Sequence, residues 1–314
     1  MQIGPTLLVD THAEAFTARY ARLVVTAGDR DWVEAAVRAV TGYGTSVIGC
    51  DCEAGVERLL LDADETPDGR PGVAILCFAF RKEQLAPAVA NRVGQCVLTC
   101  PTTACFNGLA DATETIPLGD WVRYFGDGHE SQESRVKGQG PDDARSHLSP
   151  LSSRLTWRIP VMDGEFVVDA VAGVGTGIAG GNLVLHAESQ AAGLQAACRA
   201  VEAVRPLAGV MLPFPGGVCR AGSKVGSKYK NLIASTAESY CPTLRDQVAT
   251  ELVEGAACAY EIIINGVDLA ALGAAMRGAI EAAAGRGVLA IGARNFGGRL
   301  GKHQIRLQDL FGAA

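Results

Sequence analysis

One pattern is written twice in this chain. Residues 23–56 read LVVTAGDRDWVEAAVRAVTGYGTSVIGCDCEAGV, and residues 183–218 read LVLHAESQAAGLQAACRAVEAVRPLAGVMLPFPGGV. Each begins with a β-branched apolar run and passes through an Ala-rich helical stretch, AAVRAV at 35–40 and AACRAV at 196–201. Each then returns to an apolar strand and ends at Gly-Val. A second pair follows, APAVANRVGQCVL at 86–98 and RGAIEAAAGRGVL at 277–289. Such a repeat restricts the chain to two similar lobes, and 314 residues suffice for two cores of ordinary size.

Hydrophobic periodicity and turn residues give the order of elements. After a partly helical acidic lead-in at 10–20, the first half reads strand 22–27, helix 30–41, strand 45–49, strand 73–80, helix 82–93 and strand 95–100. The stretch 62–72, DADETPDGRPG, is a loop. The second half reads strand 182–187, helix 189–204, strand 207–212, strand 257–264, helix 268–284 and strand 286–292. Both halves are β-α-β-β-α-β. The expected fold is α+β: two similar lobes, each a split β-α-β (ferredoxin-like) sandwich with insertions. The N-terminal lobe spans 1–150 and the C-terminal lobe 151–314, with polar residues 126–153 as an exposed linker. The second lobe carries a long insertion, 213–256, where the first has only about 50–72; extra length of this kind belongs to function more often than to packing.

Composition closes off several classes. A net charge of −6 without any Lys/Arg block argues against a nucleic-acid partner. No apolar run reaches the length of a membrane span, and the N-terminus does not read as a signal peptide, so a cytoplasmic protein is expected. The ten cysteines are then reduced thiols; they form no CxxC pair, and the five histidines lack zinc-helix spacing, so no metal is expected.

Several segments are candidates for chemistry. Gly175-x-Gly177-x-x-Gly180 has dinucleotide-fingerprint spacing, but its glycines precede a strand and open no helix, so close approach of a backbone or flat ligand is expected instead. Residues 217–228, GVCRAGSKVGSK, fall short of a P-loop. Ser223, Lys224 and Lys228 on this Gly-rich loop form either an anion-binding nest or a solvated loop. Pro213-Phe214-Pro215-Gly216-Gly217 is a rigid turn that either presents an aromatic face to a ring ligand or merely packs. Glu261 stands in the apolar strand Cys258-Ala259-Tyr260-Glu261-Ile262-Ile263-Ile264-Asn265. A carboxylate there is costly unless paired or neutral, and burial raises its pKa toward that of a general acid or base. The alternative is a Glu facing a basic partner across a contact. The matching first-lobe strand, GVAILCFAF at 72–80, has no carboxylate. Phe125–Gly128 and Asn295–Gly298 are turns suited to line a cleft.

An ordered series of segments along nearly the whole chain resembles the formylmethanofuran–tetrahydromethanopterin formyltransferase family. The series includes Gly42–Cys50, Glu65–Val73, Gly180-Gly181-Asn182, Ala187–Gln190, Pro213–Gly217, Ser223–Lys228, Tyr240–Thr243, Tyr260-Glu261-Ile262 and Asn295–Gly298. The resemblance implies two split β-α-β lobes and transfer of a formyl group between tetrahydromethanopterin, or its dephospho form, and methanofuran through a ternary complex, without a metal. It implies Glu261 as the catalytic carboxyl, with Phe214, Pro215, Gly216, Ser223, Lys224, Lys228, Asn182 and Tyr260 binding substrate. It further implies a homo-oligomer, commonly a tetramer. The Ser- and Arg-rich 126–153 stretch departs from the archaeal pattern and suggests a bacterial subunit that joins hydrolase-complex partners, with net flux from formyl-pterin to formyl-methanofuran. The other reading of the chain is a non-catalytic scaffold or cofactor-carrying subunit.

Overall fold

The computed structural model describes residues 1–122, 129–132, 155–223, 225 and 236–312. The expected turn at Phe125–Gly128, most of the 126–153 stretch, and Lys224 and Lys228 lie outside the described residues. In chain order the elements begin with strands β1 (Gln2–Ile3), β2 (Thr6–Leu8) and β3 (His12–Thr26), helix α1 (Arg30–Thr41), β4 (Glu53–Leu60), β5 (Gly72–Ala79) and α2 (Lys82–Arg92). Then come β6 (Ala104–Asn107), β7 (Glu114–Pro117), α3 (Gly119–Val122), β8 (His129–Gln132), β9 (Leu155–Val161), β10 (Gly164–Asp169) and β11 (Val171–Ala187). The chain closes with α4 (Gln190–Val204), β12 (Val210–Met211), β13 (Cys258–Gly266), α5 (Leu269–Ala283), β14 (Val288–Gly292) and β15 (His303–Arg306). Two compact units result: a first lobe of Ala18–Thr176, and a second lobe of Met1–Thr17 with Gly177–Ala314.

In the first lobe, β6, β3, β5 and β4 lie side by side and antiparallel. With α1 and α2 in the crossovers this is the split β-α-β arrangement. The Asp29 carboxylate caps α1 by accepting from the Asp31 and Trp32 N–H groups. Val33, Ala36 and Val40 of α1 then meet Leu23, Val25 and Ile75 in the core. The opposite sheet face carries Val24, Leu60, Ala74 and Phe106. The sheet continues past β6 through β10, β9 and β8.

The second lobe repeats the order as β14, β11, β13 and β12, again antiparallel. Ser189 caps α4 and Asp268 caps α5, each accepting from the backbone three residues on. The Ala-rich face of α4 (Ala196, Ala197, Ala200) and Leu272, Ala275 and Met276 of α5 pack onto Leu183, Leu185, Ile262 and Ile264. These small residues make the two lobes' helices recognisable as copies.

The structure moves several expected boundaries. The lead-in at 10–20 is strand, part of β3, because it pairs with β15 through Ala13↔Ile305 and Ala15↔His303. Residues 45–49 form a turn, closed by the Gly49 and Cys50 N–H groups on the Ser46 carbonyl, and the return strand is β4. Residues 93–97 continue α2 as a π-helical turn, and the strand expected at 95–100 is β6. The strand expected at 207–212 shrinks to β12. The expected 150/151 boundary lies outside the described residues, and the compact units are cut elsewhere. An open sheet edge recruits whatever strand reaches it. Parallel β2 takes the β14 edge, with Leu7 opposite Ala290, and parallel β10 takes the β6 edge, with Val168 opposite Cys105.

Candidate active site

Alternation along β11 sends Leu183 and Leu185 under the helices and leaves Asn182, Val184 and His186 on the other face. Val184 lies between Glu261 of β13 on one side and Gly292 of β14 on the other. Beyond β13, Cys219 forms an isolated antiparallel bridge to Glu261: the Cys219 N–H donates to the Glu261 carbonyl at 2.7 Å, and the Glu261 N–H donates back at 3.1 Å. Since β12 already pairs Met211 with Asn265, residues 212–218 must detour past only three residues of β13. That detour contains the Pro213–Gly217 turn, and Gly216 and Gly217 adopt φ of +65° and +83° to make it.

Glu261 opens into a small cavity of about 40 Å³ shared with Val184, Cys219, Arg220, Tyr240, Ala259 and Arg294. Glu261 is 9% exposed. Burial pushes its carboxyl above the ordinary range, and the neighbouring Arg294 pulls it down only in part. The Arg294 Nη1 is 3.6 Å from the Glu261 Oε2, a charge contact rather than a hydrogen bond. Arg294 is itself held on all sides. Its N–H donates to the Asn182 Oδ1 at 2.7 Å, its carbonyl accepts from the Asn182 Nδ2 at 3.1 Å, and its guanidinium donates to the Thr236 carbonyl.

The loop after Arg294 closes on Glu14, which is 2% exposed. Its carboxylate accepts from the N–H groups of Phe296, Gly298, Leu300 and Gly301. Burial alone would raise the Glu14 pKa; the four donors overcome it and hold the carboxyl at about 2. The phenol of Tyr240 bonds to the Glu251 side chain, and burial together with that carboxylate keeps it protonated. The His186 ring sits edge-on to Tyr240 at 5.6 Å, and burial depresses its pKa to about 4, so it is neutral at pH 7.

Among the expected site residues, Glu261 is the one whose carboxyl faces the cavity. Tyr260 contributes to the wall, but its ring lies over Gly193 of α4, on the helix side of the sheet. The Asn182 amide is occupied by Arg294 and does not line the cavity. Phe214, Pro215 and Gly216 sit in the detour, outside the cavity wall. The Ser223 hydroxyl accepts from the Val225 N–H at the edge of the described residues. The glycine cluster at 175–180 is strand: Gly175 leaves room for the Tyr20 ring, and Gly180, at φ +89°, donates to the Asn265 Oδ1. Sequence reasoning missed Arg294, Tyr240, Cys219 and Glu14. Arg294 was within reach, because residues 290, 292 and 294 continue one face of the strand next to β11.

Among the described residues, no three His, Cys, Asp or Glu side chains converge as a metal site, and no helix is long and apolar enough to cross a membrane.

Comparison with known proteins agrees along the entire chain. Residues 1–140 match a family model described as formylmethanofuran-tetrahydromethanopterin formyltransferase, and residues 164–310 match its proximal-lobe model. The chain is 44% identical to the formylmethanofuran–tetrahydromethanopterin formyltransferase of Methanopyrus kandleri, over 99% of this chain and 100% of that protein. Its identity to the enzyme of that name from Methylococcus capsulatus is 47%, over 99% of each. Among solved structures, the Methanosarcina barkeri formyltransferase superposes with a TM-score of 0.87 at 41% identity, covering 99% of this chain and 100% of that one. A formyltransferase/hydrolase complex from Methylorubrum extorquens, solved with methylofuran, gives 0.86 at 41% identity over 98% and 97%. With both halves matched and full-length identity above 40%, the chain belongs to the formylmethanofuran–tetrahydromethanopterin formyltransferase family.

Proposed function

We propose that this chain transfers a formyl group between tetrahydromethanopterin and methanofuran, with Glu261 moving the proton. The family membership supports the reaction, and relatives carrying that enzyme's name match from end to end, which favours an enzyme over a scaffold. The single observation that carries the site is a carboxyl buried on the cavity face of a sheet whose other lobe is apolar there.

A formyl amide is a poor electrophile, so the reacting atoms must be held in near contact. The attacking nitrogen must lose a proton and the leaving nitrogen must gain one. A carboxyl raised above its ordinary pKa serves both steps, as base and then as acid. Phe214 packs against one ring system, and Ser223, Lys224 and Lys228 meet the acidic tail of a coenzyme; their place in the long second-lobe insertion supports this. Asn182 acts through Arg294, and Tyr260 shapes the wall. Tetrahydromethanopterin or its dephospho form is accepted, without a metal. The chain works in the cytoplasm as a homo-oligomer, a tetramer, joined to hydrolase-type subunits; the Methylorubrum complex supports such partners.

The test is a formyl-transfer assay on the purified chain with both coenzymes. Glu261→Gln is expected to lower kcat by roughly 10²–10⁴, the range of general acid–base catalysis, with Tm within about 4 °C of the parent. A Gln variant working at the parent rate rejects the assignment.

A further inference from the structure

Formyl transfer at Glu261 leaves one charge without a partner. When the attacking nitrogen adds to the formyl carbon, its lone pair becomes the new C–N bond and the carbonyl π pair moves onto oxygen. The nitrogen's proton passes to the Glu261 carboxylate, so the negative charge leaves the side chain and appears on the former formyl oxygen. On collapse, that oxygen re-forms the carbonyl, the old C–N bond breaks with its pair, and the leaving nitrogen takes the proton back. An oxyanion forming beside a buried carboxyl in this small cavity needs a preorganised partner.

We infer that Arg294 is a second catalytic residue of this transfer, its guanidinium fixed beside Glu261 to receive the oxyanion of the tetrahedral intermediate. The inference rests on the proposed reaction at Glu261. At 3.6 Å the Arg294 Nη1 is near enough to feel the carboxylate yet is not consumed by a hydrogen bond to it. Three contacts hold the group in place: Asn182 on its backbone, the Thr236 carbonyl on Nη2, and Glu14 on the loop that follows. Such fixing removes reorganisation from the reaction step.

The other groups around Glu261 do not substitute. Cys219 across the bridge is a neutral thiol, pushed up to about 12 by burial. Tyr240 commits its phenol O–H to Glu251, and His186 on β11 does not line the cavity. Arg220 lines the cavity but is exposed. Among the described residues, Arg294 is the one cation within 4.0 Å of the Glu261 carboxyl.

Arg294→Met and Arg294→Lys test this, read as kcat against KM and as pH profiles, with ¹³C NMR titration of the Glu261 carboxyl in the substrate-free protein. The Met variant is expected to lose about 10²–10³ in kcat, the cost of one oxyanion donor, with KM within about threefold. The Glu261 titration and the acid limb of the profile are expected to move up by about one pH unit or more, and Lys to restore most of that shift and part of kcat. If the Met variant does not fold, the Lys variant decides, with an expected loss of about tenfold in kcat because its single ammonium lacks the guanidinium fork. Parent-like kcat in the Met variant, or in Lys when Lys alone folds, overturns the inference, as does an unmoved Glu261 titration in Met. An inactive parent chain overturns the proposed reaction instead, and the titration then still reports whether Arg294 governs the Glu261 charge.

Discussion

Ala74 and Glu261 occupy equivalent places in the two lobes, the first opposite Val24 and the second opposite Val184. On the other side of those valines stand Phe106 in the first lobe and Gly292 in the second. The first lobe fills the face with an aromatic ring; in the second, Gly292 leaves that place to His186 and Val9, and the neighbouring strand brings in a carboxyl. The proposed chemistry thus rests on a Glu in place of an Ala in a shared frame, with a Gly in place of a Phe on the strand across from it. The supporting carboxylate, Glu14, makes a prediction of its own. Its folded pKa of about 2 lies below the ordinary 4.5, so its stabilisation is complete above about pH 4.5 and is lost as pH falls toward 2. Glu14→Gln is expected to cost roughly 3 kcal/mol near neutral pH, since the charged acceptor of several buried donors is removed. Thermal melts from pH 7 to 2.5 should show the gap between the two proteins closing on the acid side. A gap constant with pH rejects the account.

At the scale of elements, helices were far more legible than strands. α1, α4 and α5 fall within two residues of expectation because each has an Asp or Ser cap and an apolar stripe of its own. The strands at 45–49 and 95–100 were misplaced for one reason. Val47-Ile48 and Gln95–Leu98 are apolar enough for strand, but local hydrogen bonds, Cys50 to Ser46 and Leu98 to Val93, close turns there first. Glu261 was legible because a charge inside an apolar run stands out. Arg294 was less legible, because it lies just past its strand, where only the alternation of residues 290, 292 and 294 points to it before β14 is seen beside β11. The Pro213–Gly217 detour yields the prediction proper to an element. Phe214→Ala is expected to raise KM for one coenzyme by about tenfold, the worth of one aromatic contact, while kcat stays within about threefold. Steady-state kinetics with each coenzyme varied in turn checks this, and an unchanged KM for both assigns the turn to packing alone.

For the whole molecule, the repeat made the two-lobed plan readable, yet it hid how the chain divides. The chain changes lobe inside β3 and again inside β11, after Thr17 and after Thr176. A cut at 150/151 therefore strips β9 and β10 from the first lobe and β2 from the second. Fragments 1–150 and 151–314 are expected to bind ANS and to melt without a cooperative transition, whereas 18–176 is expected to melt cooperatively. Calorimetry and dye fluorescence distinguish these outcomes; a cooperative 151–314 refutes the pairing argument.

The same route has a consequence for biosynthesis. Leu7 and Leu8 are made long before their strand partners, Ala290 and Ile291. At about 5–20 residues per second, that interval lasts on the order of 15–60 s, long enough for Ala18–Thr176 to fold first. Throughout that time Thr6–Leu8 is an apolar strand paired at most with Gln2–Ile3 and still awaiting Val288–Gly292, and any chaperone acting on this protein during translation should be found holding it.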